Sequence, residues 1–303
     1  MTPWVLLAVA PVPGGSELRL MRRGLEYSIM IGGTELMNSR LSGSEEALAT
    51  IAAERIGSRT SARVLIGSLG MGFTLRSALA SLAPAANVTV AELVPGVVDW
   101  ARGPMTDVFG ESLSDHRVAI AVKDVAETIS RESGAYDAIL LDVDNGPGGL
   151  TRSGNDRLYR PAGLAAALRA LKPGGVLGIW SQGADPAFTA RLDRAGFQVE
   201  EMRVKAGRGR GTKHVLWFAT KAARQPEHHS SNDCSVGSTI NRGNIAGQAI
   251  RNVRITPKVV YPLPMLIGAA SCHNRCEHVQ QAITPTALPP PTMHRHWSKK
   301  QLT

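Results

Sequence analysis

Residues 63–92 read RVLIGSLGMGFTLRSALASLAPAANVTVAE. The apolar run Val64–Ile66 is too short for a helix and stops at Gly67, where a turn rich in glycine begins. FTLRSALASLA (73–83) then spaces its apolar residues as a helix does, and NVTVAE (87–92) returns to β-branched residues before closing on an acid. Strand, glycine turn, helix and strand in this order predict a parallel pair joined by a covering helix.

The same alternation continues downstream. RVAIAVKD (117–124), YDAILLDVD (136–144) and VLGIWS (176–181) read as strands, separated by a helix from Pro95, by VAETISRES (125–133) and by PAGLAAALRALKPGG (161–175), a helix stopped by Pro and Gly. PAFTARLDRAG (186–196) predicts a further helix, and FQVEEMRV (197–204) and HVLWFAT (214–220) two last strands joined by the basic loop KAGRGRGTK (205–213), a solvated hairpin tip. The expectation is an α/β fold, a doubly wound Rossmann-like sheet of seven mainly parallel strands.

Upstream, ELRLM (17–21) and YSIMI (27–31) alternate as strands of a small antiparallel hairpin unit. GSEEALATIAAERI (43–56) follows as a helix, with Ser44 as its N-cap and Glu45 and Glu46 in its first turn. The predicted division is residues 1–56 as hairpin segment and linking helix, 57–221 as the Rossmann-like domain, and 222–303 as a basic tail of low order.

The tail accounts for the charge. Of a net +9, residues 1–220 contribute 24 Lys+Arg against 22 Asp+Glu, and residues 221–303 contribute 10 against 3. All three cysteines (Cys234, Cys272, Cys276) and six of eight histidines lie there too, so the globular part asks for no oxidising compartment. WVLLAVAPV (4–12) is too short to span a bilayer and no basic residue precedes it. A cytoplasmic protein is the expectation. CHNRCEH (272–278) lacks a second ligand pair at zinc spacing, and no metal is expected.

Acids close three successive strands: Glu92 the second, Asp124 the third, Asp142 and Asp144 the fourth. Gly67, Gly70 and Gly72 would let a ligand approach bare backbone beside a helix N-terminus. An acid about 20 residues beyond such glycines is placed to accept hydrogen bonds from ribose hydroxyls. That is the place of Glu92.

Together VLIGSLGMG, VTVAELVP, VKDV, YDAILLDVDN and LKPGGVL resemble the class I S-adenosylmethionine (AdoMet) dependent transferases, and more narrowly spermidine synthases and their relatives, over residues 16–220. The resemblance implies a cofactor loop at Gly67, Gly70 and Gly72, ribose held by Glu92, and adenine approached by Asp124 and Val125. It implies Asp142 as the catalytic carboxylate, with Asp144 and Tyr159 lining the acceptor pocket. The implied activity is transfer of an aminopropyl group from decarboxylated AdoMet to a polyamine. AdoMet-dependent methylation of a small molecule, or a non-catalytic nucleoside-binding relative, are the alternatives. The implied partners are a small-molecule amine or other nucleophile and, at most, a second copy of the chain; neither a membrane nor nucleic acid is expected.

The chain departs from the synthase pattern at defined places. Gly70 stands where those enzymes carry an acid that grips the aminopropyl ammonium, and Val94 stands where a second acid follows the first. Asp142 and Asp144 are two apart rather than three, and Glu45–Glu46 occupy the place of a Tyr-His or Tyr-Gln pair.

Overall fold

A computed structural model describes residues 2–143, 146–147, 156–207 and 212–223. They belong to one compact unit, Met1–Ser231; a second unit, Asn232–Thr303, lies outside the described residues, as does most of the basic tail expected from residue 222.

The chain opens with a four-stranded antiparallel meander, β1 (Val5–Pro11), β2 (Glu17–Arg23), β3 (Glu26–Ile31) and β4 (Thr34–Asn38). The two predicted strands are β2 and β3, and the structure adds one on either side. Helix α1 (Gly43–Ile56) follows, then β5 (Arg63–Gly67), α2 (Phe73–Ser81), β6 (Asn87–Glu92), α3 (Pro95–Arg102) and the short α4 (Thr106–Phe109). Next come β7 (Val118–Val122), α5 (Val125–Arg131), β8 (Tyr136–Leu141), the short α6 (Asp156–Tyr159) and α7 (Pro161–Ala170). The chain closes its sheet with β9 (Leu171–Ser181), α8 (Pro186–Arg194), β10 (Phe197–Lys205) and β11 (Lys213–Lys221).

The second sheet has the order β10-β11-β9-β8-β5-β6-β7, parallel from β9 to β7 and antiparallel where β11 joins β9 and β10. This is the doubly wound seven-stranded sheet that the sequence predicts. Because helices cover both faces, central strands are apolar without alternation, and every residue of β8 is buried. Val64, Ile66, Ala138 and Leu140 face one core with α1 and α2; Leu65, Ile139 and Leu141 face the other with α5, α7 and α8.

Two local expectations are corrected. Helix α7 ends at Ala170, short of the expected stop at Pro173 and the glycines, because Leu171 already pairs with Tyr136 on β8. Regular pairing resumes at Val176 with Ala138, so Lys172–Gly175 form a bulge, with Gly174 at φ 69°. The bulge serves a purpose: the Lys172 Nζ donates to Asp137 at 2.6 Å, and Asp137 also accepts from the Arg59 guanidinium at 2.6 Å and the Arg63 N–H at 2.8 Å. Second, α1 begins at Gly43, with Ser42 in the capping position, so Ser44 is not its N-cap. Helix α1 is also more than a linker. It lies against the sheet, with Leu48 fully buried and Thr50 hydrogen-bonded to Ser77 of α2 at 2.9 Å.

Candidate active site

The chain leaves β5 toward β6 on one side and returns to β8 on the other, and a crevice opens beyond the carboxyl ends of these strands, where open α/β sheets bind ligands. It has a volume of about 780 Å³ including its mouth. Its floor includes Gly70, Glu92, Asp124 and Val125; Leu18 and Ile29 of the N-terminal sheet help to close it from above. The size and the mainly apolar lining with a few convergent acids are those of a small-molecule site.

Glu92 is 5% exposed and fixes the glycine loop. One carboxylate oxygen accepts the Leu69 N–H at 2.8 Å and, more weakly, the Ser68 hydroxyl at 3.4 Å; the other accepts the Val94 N–H at 2.8 Å. Burial pushes its pKa up, against the hydrogen bonds from Leu69, Val94 and Ser68 that favour the ionised form. The oxygen that accepts only the Val94 N–H retains a lone pair for a ligand hydroxyl. Ser68 itself sits at φ 80°, a left-handed backbone that a non-glycine residue holds only at a cost, in the loop that faces the crevice.

The three glycines differ in role. Gly67 lets β5 approach its neighbours: a Cβ there would meet Leu141 and Val125 at 3.2 Å. At Gly72, with φ 75°, a Cβ would stand 2.4 Å from the Phe109 ring. Gly70, at φ 51°, is the one that borders the crevice. Asp124 caps α5 by accepting the Ala126 N–H at 2.8 Å, and its other oxygen pairs with the Arg157 guanidinium. Val125 lies beside it on the crevice wall.

A second chamber of about 490 Å³ adjoins the first, sharing Leu36, Met37, Ser68 and Gly70 with it. Asp142 and Glu45 both line it. Asp142, just past the end of β8, accepts from the Thr74 hydroxyl at 2.8 Å, and burial raises its pKa to about 6 despite that bond. Glu45 is raised to about 7 by burial and by the charge of Asp142, with its bond from Ser44 opposing. Two carboxylates that repel across one chamber hold about one proton between them near neutrality. An incoming ammonium would relieve that repulsion.

Thus Gly70, Glu92, Asp124 and Val125 meet in one crevice, and Asp142 lies in the adjoining chamber. Tyr159 is not brought there: it is 2% exposed, packed edge-on against Phe188 with ring centroids 5.6 Å apart, in the core beneath α7 and α8. Asp144 lies outside the described residues. The sequence reading missed Glu45 as a site residue, because an acid in a helix's first turn has a sufficient explanation in the helix dipole. Its chamber partner is remote in sequence. Among the described residues no cluster of metal-ligating side chains occurs, and no helix is long and apolar enough to cross a membrane.

No protein-family model matches the chain, and no curated protein matches it by sequence. Solved structures do match by shape. A spermidine synthase in complex with the transition-state analogue AdoDATO superposes with a TM-score of 0.57 at 17% identity, covering 72% of this chain and 73% of that one. Spermidine synthase from Thermotoga maritima gives a TM-score of 0.56 at 16% identity, with the same coverage of both chains. The chain thus shares the fold of these spermidine synthase structures.

Proposed function

We propose that this protein is a transferase that moves an aminopropyl group from decarboxylated AdoMet to an amine. The observation that carries this reading is the pair of adjoining chambers: an apolar crevice with the Glu92-braced loop, and beside it a smaller chamber whose two acids suit a cation. Gly70, Glu92, Asp124 and Val125 would hold the nucleoside, and Asp142 with Glu45 the amine. When bound, the sulfonium supplies an activated carbon and a neutral thioether leaving group.

The protein's own task is then the nucleophile's proton. An alkylammonium has a pKa near 10.4 and cannot attack while protonated. The carboxylate of Asp142 first attracts the cation, then accepts its proton as the nitrogen lone pair closes on carbon. Its raised pKa narrows the gap that this transfer must cross. Holding nitrogen and carbon in adjoining chambers supplies the remaining advantage through proximity.

Methyl transfer is the second reading, and Gly70 favours it: no side chain at that position grips an aminopropyl ammonium. One assay separates the two. The protein is incubated with decarboxylated AdoMet and with AdoMet in turn, each with a mixture of polyamines, and products are followed by mass spectrometry. Methylthioadenosine is the expected product; S-adenosylhomocysteine would establish methyl transfer instead, and neither product would overturn the catalytic reading. In the active reaction Asp142→Asn should bind nucleoside normally and turn over at least a hundredfold more slowly.

A further inference from the structure

Behind the acidic chamber lies a hydrogen-bond chain that the proposed reaction has not yet used. Ser44 is fully buried, and its hydroxyl oxygen lies 2.6 Å from a Glu45 carboxylate oxygen, 2.8 Å from His214 Nδ1 and 3.0 Å from Trp180 Nε1. His214, on β11, is half-buried, and its ring stands edge-on to Trp180 with centroids 4.6 Å apart.

A serine hydroxyl has one proton and two lone pairs, and the indole of Trp180 can only donate. Of the other two partners, one must therefore accept from Ser44 and the other donate to it. When Glu45 is ionised it accepts, and His214 donates from Nδ1–H. When Glu45 is protonated on the bonded oxygen it donates, and the Ser44 hydroxyl turns to give its proton to a bare Nδ1. The protonation of Glu45 and the tautomer of His214 are locked together through one atom.

From this geometry we infer that Glu45, Ser44 and His214 form a proton relay that drains the acidic chamber toward solvent. The proton on Glu45 passes to the Ser44 oxygen while the Ser44 proton passes to His214 Nδ1, and the imidazolium so formed releases its Nε2 proton to water. One O–H bond breaks and one forms at Ser44, one N–H forms and one breaks on the ring, and the net change is one proton moved from carboxyl to solvent. Tautomer exchange of the ring through water resets the path. Asp142 at the end of β8 and Glu46 on α1 are the charges that act on Glu45, both raising its proton affinity. His214 is governed by burial, which lowers its pKa from 6.5 and keeps the ring neutral at neutral pH.

The catalytic use of the relay rests on the transferase reading, but its existence does not. The test therefore begins without substrate, on the full-length protein labelled with nitrogen-15 at histidine. Between pH 5.5 and 8.5 the His214 ring should change from the Nε2–H to the Nδ1–H tautomer as Glu45 ionises, and the change should vanish in Glu45→Gln and in Ser44→Ala. A tautomer that stays fixed in the unsubstituted protein would overturn the relay, whatever activity is found. In the active reaction, His214→Gln should lower kcat at least tenfold with KM little changed, and added imidazole should restore much of the loss. Full kcat in that variant would remove His214 from turnover. A tautomer switch in a protein that transforms no substrate would support the relay and refute the transferase reading alone.

Discussion

Replacing Glu45 by Gln should make the protein more stable once the pH rises above about 4.5, with the full gain above about 7. Glu45 has its pKa raised from 4.5 to about 7, by burial first and then by the charge of Asp142. For an acid the sign runs against the folded state. Below about pH 4.5 the group is protonated folded or unfolded and costs nothing, whereas above about pH 7 the folded protein must hold a charge that the unfolded chain would carry in water. The full displacement corresponds to about 3 kcal/mol. Part of the side chain reaches solvent, so about half of this is expected, which in a domain of this size is about 3–6 °C in Tm. The amide oxygen of Gln can still accept from Ser44, so the hydrogen bond survives and the comparison isolates the charge. Thermal unfolding at pH 4 and pH 8 is the assay. Near-equal Tm values for variant and parent at pH 4, with the variant higher at pH 8, are expected; a short diamine should narrow the pH 8 difference by neutralising the pair in the parent. A variant destabilised equally at both values would show that Glu45 is an ordinary helix-start acid, and the chamber would lose its claim to bind a cation.

Glu92→Gln should cost about 1–3 kcal/mol in urea unfolding, because the Leu69 and Val94 N–H groups meet different oxygens and an amide can accept only one of them. Calorimetric affinity for methylthioadenosine should fall with it, and unchanged values of both would remove Glu92 from the loop's support. Gly72→Ala should lose about 2–4 kcal/mol, combining a left-handed backbone with a Cβ pressed against Phe109; a Tm within 1 °C of the parent would contradict the packing described for the loop. Asp137→Asn should lose about 3 kcal/mol at pH 7, the low end for a broken buried pair since Arg59 and Lys172 reach water. Burial raises the Asp137 pKa, but the bonds from Arg63, Lys172 and Arg59 outweigh it and hold the group below the usual range. Its stabilisation is complete above the unfolded value of about 3.9 and disappears as pH falls through the folded one, so the difference between variant and parent should shrink below about pH 4.

The parallel strands were legible because burial on both faces leaves an unbroken apolar run, as in Tyr136–Leu141, that few other structures explain. Strand β1 was not, since its Val5, Leu6 and Leu7 are all exposed and show no alternation, and β4 is too polar to stand out. The end of α7 was misplaced because Pro173 and Gly174 are strong helix stops, yet here they shape a bulge several residues after the helix has ended. Local signals named Gly70, Glu92 and Asp142, each at the end of a strand. They could not name Glu45 or His214. Ser44 joins those two across 170 residues of sequence, and neither contact leaves a trace in the residues around it.

Strand β8 carries the sharpest contrast in the molecule. Asp137 enters it and Asp142 follows it, two aspartates flanking one apolar run, yet their environments drive them in opposite directions. At the entry, two cations and a backbone N–H converge on Asp137 and keep it ionised, which fixes the bulge of β9 against β8. At the exit, Asp142 has a single hydroxyl donor and faces another acid, which leaves it short of a positive partner at neutral pH. A carboxylate that the fold satisfies is structural, whereas one that it buries and leaves in want of a cation is poised for a ligand to complete. The same reasoning separates the two acids from sequence neighbours of equal charge, and it supports the proposed site at the carboxyl end of the sheet, where Asp142, Glu45 and the Glu92-braced loop meet.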